Sequence, residues 1–224
     1  MFNKQEIFLV LVIALCHDIG HKGKNNQYYK KTKHKLFLNA INESILETYH
    51  IQQIFKLLKQ ERTNIFDYLS PQVSKEYKEI VMESILGTDN SQHFAIMQSW
   101  EESAEVRADK RAVIRFILHA CDIGNSTLDF YNYINSSKLV VQEFHNQFMK
   151  EREKGVNAEG FMKYTDQADF FNGQSQFLET FVTPIFYQLS MQFEGLDYFA
   201  RKSQQNLKLV KLLNHGIQKE NRYQ

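Results

Sequence analysis

The chain has 224 residues, 43% of them hydrophobic, with 18 Phe and 11 Tyr, which is enough apolar surface for a buried core and argues against general disorder. Its length favours one domain over residues 1–224. Its 27 Lys and Arg against 26 Asp and Glu leave a net charge of +1, without the basic excess that nucleic-acid binders carry, so no nucleic-acid partner is expected. Two cysteines, Cys16 and Cys121, are too few for a disulfide framework, so a reducing, cytoplasmic setting is expected.

The first element is the apolar run Ile7 to Cys16, IFLVLVIALC. It is too short to span a bilayer, and His17-Asp18 follows with no small-residue cleavage site, so it reads as a buried helix and not as a signal peptide or membrane span. His17 and His21 then stand four apart, a spacing that puts both on one helix face, with Gly20 and Gly23 supplying the helix end. The basic run Lys22, Lys24, Lys30, Lys31, Lys33, Lys35 reads as a solvated loop and helix face.

Apolar residues then recur at three- and four-residue spacing. The stripes are Leu36, Leu38, Ile41, Ile45, Tyr49; Ile80, Ser84, Leu86; and Val113, Ile114, Ile117, Leu118, Cys121, each predicting one buried helix face. Residues 151–173 are polar and glycine-bearing with no steady period, and predict a long loop. The last residues, 219–224, are expected to fray. No sustained period-two alternation occurs, so the fold class expected is all-α, a multi-helix bundle.

Imidazole nitrogen and carboxylate oxygen together suit zinc and similar divalent ions, and His17 with Asp18 offers both near a helix end. Alone, the pair reads equally as a capped core histidine. Asp122, which ends the apolar helix ILHACD, adds a second carboxylate that needs a partner if buried. Cys16 and Cys121 adjoin His17 and Asp122, but helix neighbours point about 100° apart, so small apolar packing is the reading for both thiols.

The motifs are collectively more specific. His17, Asp18, His21, Gly23 and Asn26 fit H-D-x-x-H-x-G-x-x-N; the segment Ser44 to His50 is similar to S-V-L-E-N-H-H, Leu86 to Asp89 to L-A-T-D, and His119 to Asn125 to H-A-A-D-I-S-N. Glu143, Phe144 and Gln147 resemble E-F-F-x-Q, and Gln174 with Phe177 resembles Q-x-G-F with its later proline at Pro184. In this order the landmarks resemble the catalytic domain of class I 3′,5′-cyclic-nucleotide phosphodiesterases, members of the His-Asp metal phosphohydrolase superfamily.

That resemblance implies two divalent ions, zinc and magnesium or manganese. His17, Asp18 and Asp122 match zinc ligands, with Asp18 bridging; His21, Glu47 and Thr88 match residues that orient waters around the second ion. His21 and Asp18 would thus serve catalysis, in which activated water attacks phosphorus in line and opens the 3′ ester to give the 5′-monophosphate. Gln174 matches the residue that bonds the purine edge, and Val140 and Phe177 match the apolar pair around the base. Asn125 has two readings, an adenine partner or a turn residue closing the helix.

Departures are Tyr49 for the first histidine of H-H, Ser126 for proline, Phe148-Met149 for Gly-Asp, and Gln176 for glycine. The family's H-N-x-x-H motif, carrying the general acid and a further zinc histidine, occurs nowhere in the sequence. The expectation is therefore of a domain incomplete at its N-terminus, with a regulatory region also missing and slow catalysis by these residues alone. The alternatives are a non-catalytic nucleotide-binding remnant or another phosphohydrolase of the superfamily.

Overall fold

The computed structural model describes residues 2–40 and 42–220, and within them there is no β-strand. The chain divides into two compact units, Met1–His119 and Ala120–Gln224, with α8 (Lys110–Asp122) running from the first into the second. Among the described residues, no helix is long and apolar enough to cross a membrane. The all-α expectation holds.

The first unit begins with α1 (Lys4–Cys16), started by a capping box in which Asn3 and Glu6 exchange hydrogen bonds. Its apolar character runs all round the helix. Only Leu9 and Ile13 are buried, while Ile7, Phe8, Leu11 and Leu15 are between 49% and 87% exposed, so the expected buried helix is buried on one face alone. The helix also stops earlier than the histidine spacing predicts. His17 is its C-cap and residues 17–20 form a turn, so His17 and His21 do not share a helix face and Gly20 lies beyond the helix end.

Next come α2 (Asn26–Lys31), α3 (Lys35–Leu38) and α4 (Ile45–Leu58). The stripe predicted from Leu36 to Tyr49 is thus split between two helices. Leu38 is exposed, Ile45 is buried, and Ile41 lies outside the described residues. Asparagine-rich polar residues between Leu38 and Ile45 favour turn contacts over a continuous helix, as the bond from Ser44 N–H to Asn42 Oδ1 at 3.1 Å illustrates.

Pro71 opens α5 (Pro71–Leu86) behind the N-cap Ser70; of the predicted stripe Ile80 and Ser84 are buried and Leu86 is half-buried, while Val81 and Ile85 join the buried face. The unit is completed by α6 (His93–Glu102), α7 (Ala104–Ala108) and the first ten residues of α8. Its core joins Leu9, Ile13, Ile54, Phe66, Ile80, Ile85, Ile114 and Leu118, and Trp100 stacks on Phe116 at 3.9 Å between ring centroids.

α6 and α8 also bury two histidines together: His93 Nδ1 and His119 Nε2 are 3.0 Å apart. Burial, reinforced by the His119 ring, pushes His93 down to about 4. Its unfolded value near 6.5 lies above that, so the unfolded state takes up protons first and stability falls as pH drops from 6.5 to 4, by on the order of 3 kcal/mol. Glu47, considered below, has the opposite slope: raised to about 7, it favours the folded state below 4.5 and loses that contribution as pH rises to 7. Between pH 4.5 and 6.5 the two oppose each other in the metal-free chain. Urea unfolding of Glu47→Gln at pH 7 and pH 4.5 is expected to expose the His93 acid sensitivity that wild type masks; equal pH slopes in both proteins would refute the pairing.

The second unit holds a 3₁₀ turn at Gly124–Thr127, then α9 (Phe130–Glu153), α10 (Gln167–Phe177), α11 (Thr183–Gln192) and α12 (Asp197–Glu220). Its core is built on Tyr133, Met162, Phe170, Leu178, Val182, Ile185 and Val210. Buried Asn206 of α12 donates to the carbonyls of Ser126 and Leu128, both at 2.9 Å, and so pins the turn after Asp122.

The loop expected over 151–173 is shorter. α9 continues to Glu153 and α10 begins at Gln167 behind the N-cap Asp166, leaving a connection that includes a 3₁₀ turn, Gly160–Met162. With only Phe170 and Ser175 buried, α10 shows too little apolar periodicity to be read in advance. α12 likewise extends through residues 219 and 220 expected to fray; residues 221–224 lie outside the described residues. Cys16 is half-buried and packs against the core of the first unit as expected, while Cys121 is exposed; neither forms a disulfide.

Candidate active site

In the first unit, the turn after α1 presents two histidines and a carboxylate around a third, buried histidine. His17 donates from Nδ1 to the carbonyl of Ala14 at 2.8 Å, which puts the lone pair of the neutral ring on Nε2, 3.8 Å from Asp18 Oδ2. A backbone carbonyl holding the other ring nitrogen is the usual support of a metal-bound histidine. His50, fully buried on α4, donates from Nδ1 to Ile19 O at 2.8 Å and directs Nε2 at Asp18 Oδ1, 3.5 Å away.

Burial keeps the His50 ring below its ordinary pKa and hence neutral, and its Nε2 has no hydrogen-bond partner. Imidazole lone pairs therefore face both oxygens of one carboxylate, an arrangement that calls for a cation or a proton between them. These residues fit a divalent ion. His21 stacks on His50 with 5.9 Å between centroids, and its Nδ1 accepts from Gly23 N–H at 3.1 Å, which leaves the proton of the neutral ring on Nε2 as a donor.

The turn depends on Gly20. Its φ of +78° is the left-handed region, and an added Cβ would lie 3.0 Å from Tyr49 Oη. Gly20→Ala is expected to destabilise the chain by about 1–2 kcal/mol from backbone strain, with a further loss from displacing Tyr49, measurable by urea unfolding.

Glu47 is buried on α4 and its Oε2 accepts from Asn26 Nδ2 at 2.9 Å. Burial, opposed by that hydrogen bond and assisted by the charges of Asp89 and Asp18, raises it to about 7. Asp89 is buried beside it, accepting from Ser44 Oγ at 2.7 Å and Ser91 N–H at 2.9 Å. Thr88 is buried and its hydroxyl donates to Ile85 O at 2.8 Å, so its oxygen keeps lone-pair capacity for another donor.

In the second unit, Asp122 is the last residue of α8. Asn125 follows in the 3₁₀ turn, with Nδ2 donating to Ser136 of α9 at 3.2 Å and Oδ1 accepting from Ser126 at 3.3 Å. Gln174 stands in the last turn of α10, where Oε1 accepts from the phenol of fully buried Tyr133 at 3.0 Å. That bond fixes the carboxamide so that its NH₂ points away from Tyr133. Phe177 is half-buried and stacks on Phe181 at 5.4 Å, directly before a π-helical turn, Leu178–Val182. Such turns often mark functional sites. Val140 is 45% exposed on α9.

Sequence reasoning gave no role to His50, Asp89, Asn26 or Tyr133. The first three lie inside quoted motifs, where their place was visible but their contacts were not. Tyr133 carries no local signal.

Residues 1–202 match the 3′5′-cyclic nucleotide phosphodiesterase family, and the chain belongs to that family. It is 30% identical over 185 residues to the dual specificity calcium/calmodulin-dependent 3′,5′-cyclic nucleotide phosphodiesterase 1B of Bos taurus, a match covering 81% of this chain and 34% of the relative. It is 28% identical over 199 residues to the cGMP-specific 3′,5′-cyclic phosphodiesterase alpha of Plasmodium falciparum, covering 86% of this chain and 21% of that protein. The chain thus spans about a third or less of the length of these relatives. Among solved structures, the phosphodiesterase domain of the RhoPDE fusion protein of Salpingoeca rosetta superposes with a TM-score of 0.90 at 25% identity, covering 98% of this chain and 72% of that one.

Proposed function

We propose that this chain carries the metal-dependent hydrolysis of 3′,5′-cyclic nucleotides to 5′-monophosphates, in a cytoplasmic setting. The observation that carries the reading is the cluster of His17, Asp18 and His50 lone pairs, in a chain of this family. His17, Asp18 and Asp122 are the proposed zinc ligands, and His21, Glu47 and Thr88 orient waters at a second ion, magnesium or manganese. Ions held there supply Lewis-acid activation of water and of the phosphoryl oxygens.

The chain's own residues do the rest. The Ala14 carbonyl holds His17 in its ligating tautomer. Protonated Nε2 of His21 and buried Glu47 offer one donor and one acceptor for ordered water. Gln174, oriented by Tyr133, bonds the purine edge between Val140 and Phe177. Water adds to phosphorus as the bond to O3′ breaks, and O3′ takes up a proton as the attacking water gives one up.

The test is to incubate the chain with zinc, magnesium and either cyclic AMP or cyclic GMP and to measure 5′-monophosphate. Turnover that Asp18→Asn removes is the expected result. Nucleotide binding with no turnover under any metal condition would make the chain a binding module and overturn the proposal.

A further inference from the structure

We infer that Asn26 is a positioning residue that caps α4 from outside that helix and, through the same carboxamide, holds Glu47 in place; the inference rests on the role proposed for Glu47 above. Ser44 occupies the N-cap position of α4, where a serine oxygen ordinarily accepts a first-turn N–H, yet it makes no such bond. Its hydroxyl is turned to Asp89 Oδ2 at 2.7 Å and receives Gln92 Nε2 at 3.3 Å. The first turn of α4 is capped from elsewhere. Asn26 Oδ1 accepts Leu46 N–H at 2.8 Å, and Asn26 Nδ2 donates to Glu47 Oε2 at 2.9 Å.

The two consecutive asparagines divide the work: Asn25 caps its own helix α2 by accepting Tyr28 N–H, and Asn26 serves α4. A carboxamide is planar and rigid, with donor and acceptor on opposite sides, so binding Leu46 N–H aims the NH₂ at the next residue's carboxylate. Glu47 has three side-chain torsions. Only a directed partner keeps its buried carboxylate in one orientation, which water-mediated support of an ion needs. Asp89 restricts Ser44 and so leaves the capping position to Asn26.

The test uses Mn²⁺ titration of the zinc-loaded chain, read from the electron paramagnetic resonance of free Mn²⁺, with Asn26→Ala, Asn26→Asp, Glu47→Gln and the corresponding double variants. Glu47→Gln and Asn26→Ala are each expected to weaken Mn²⁺ binding by about tenfold or more, the usual size for an outer supporting residue, with little further loss when combined. Asn26→Asp keeps the cap acceptor and guards against a folding failure. Paired with Glu47→Gln it re-forms the contact with donor and acceptor exchanged, so the metal-free double variant is expected to melt above either single variant.

If Asn26→Ala leaves Mn²⁺ affinity unchanged, or lowers it equally with and without Glu47→Gln, Asn26 is only a cap and the inference falls. If Glu47→Gln alone leaves Mn²⁺ affinity unchanged, the role proposed for Glu47 falls first and takes the inference with it.

Discussion

Asp122→Ala is expected to remove zinc retention by the chain, with an affinity loss exceeding the 10–100-fold that follows from damaging an outer supporting residue, because a ligand itself is lost. With His17 and Asp18 as the other donors, two ligands would remain, fewer than the three protein ligands that open zinc sites use. Elemental analysis after dialysis, with zinc titration against a chromophoric competitor, measures this directly. Asp122→Asn is expected to be intermediate, since it keeps a carbonyl oxygen but not the charge. Equal zinc content in wild type and Asp122→Ala would remove Asp122 from the site. Because the cluster around Asp18 is electron-rich, His17→Ala is expected to lose zinc as well while retaining the helical fold, as His17 is half-buried at a helix end and not in the core.

Gln174→Ala is expected to weaken binding of both cyclic AMP and cyclic GMP by about ten- to a hundredfold, since stranding a buried polar purine edge costs about 1–3 kcal/mol. Tyr133→Phe tests the orientation separately. It removes the donor that fixes Gln174 Oε1 and leaves the buried ring in place, so a smaller loss is expected with stability little changed. The phenol of Tyr133 is held well above its ordinary pKa by burial, so it stays a donor at every working pH and the Gln174 contribution is expected to be flat with pH. Equilibrium binding of the two nucleotides to all three proteins provides the measurement. Binding by Gln174→Ala equal to wild type would place the base elsewhere.

The sequence by itself determined the helical class, because apolar residues recur at helical spacing from Ile80 to Leu118 and no period-two segment competes. It also carried the family, since His17, Asp18, Glu47, Thr88 and Asp122 stand in motifs that resemble those of the phosphodiesterases, and residues 1–202 match that family. Helix ends were another matter: α1 stops at Cys16 and its neighbours pass into a turn in which Gly20, at φ +78°, lies close against Tyr49. The polar helix α10 was invisible because its stability comes from Phe170 buried in the second unit and from its cap at Asp166, not from a continuous apolar stripe.

Tertiary structure alone decided what each motif residue touches. His50 faces Asp18 across 31 residues of chain from the carbonyl that orients it, and Asn26 reaches α4 across twenty; neither contact has a local spacing from which it could be read. Burial decided protonation in the same way, holding His50 and His93 neutral and raising Glu47 to about 7, because desolvation depends on what the fold places around a side chain and not on its neighbours in sequence.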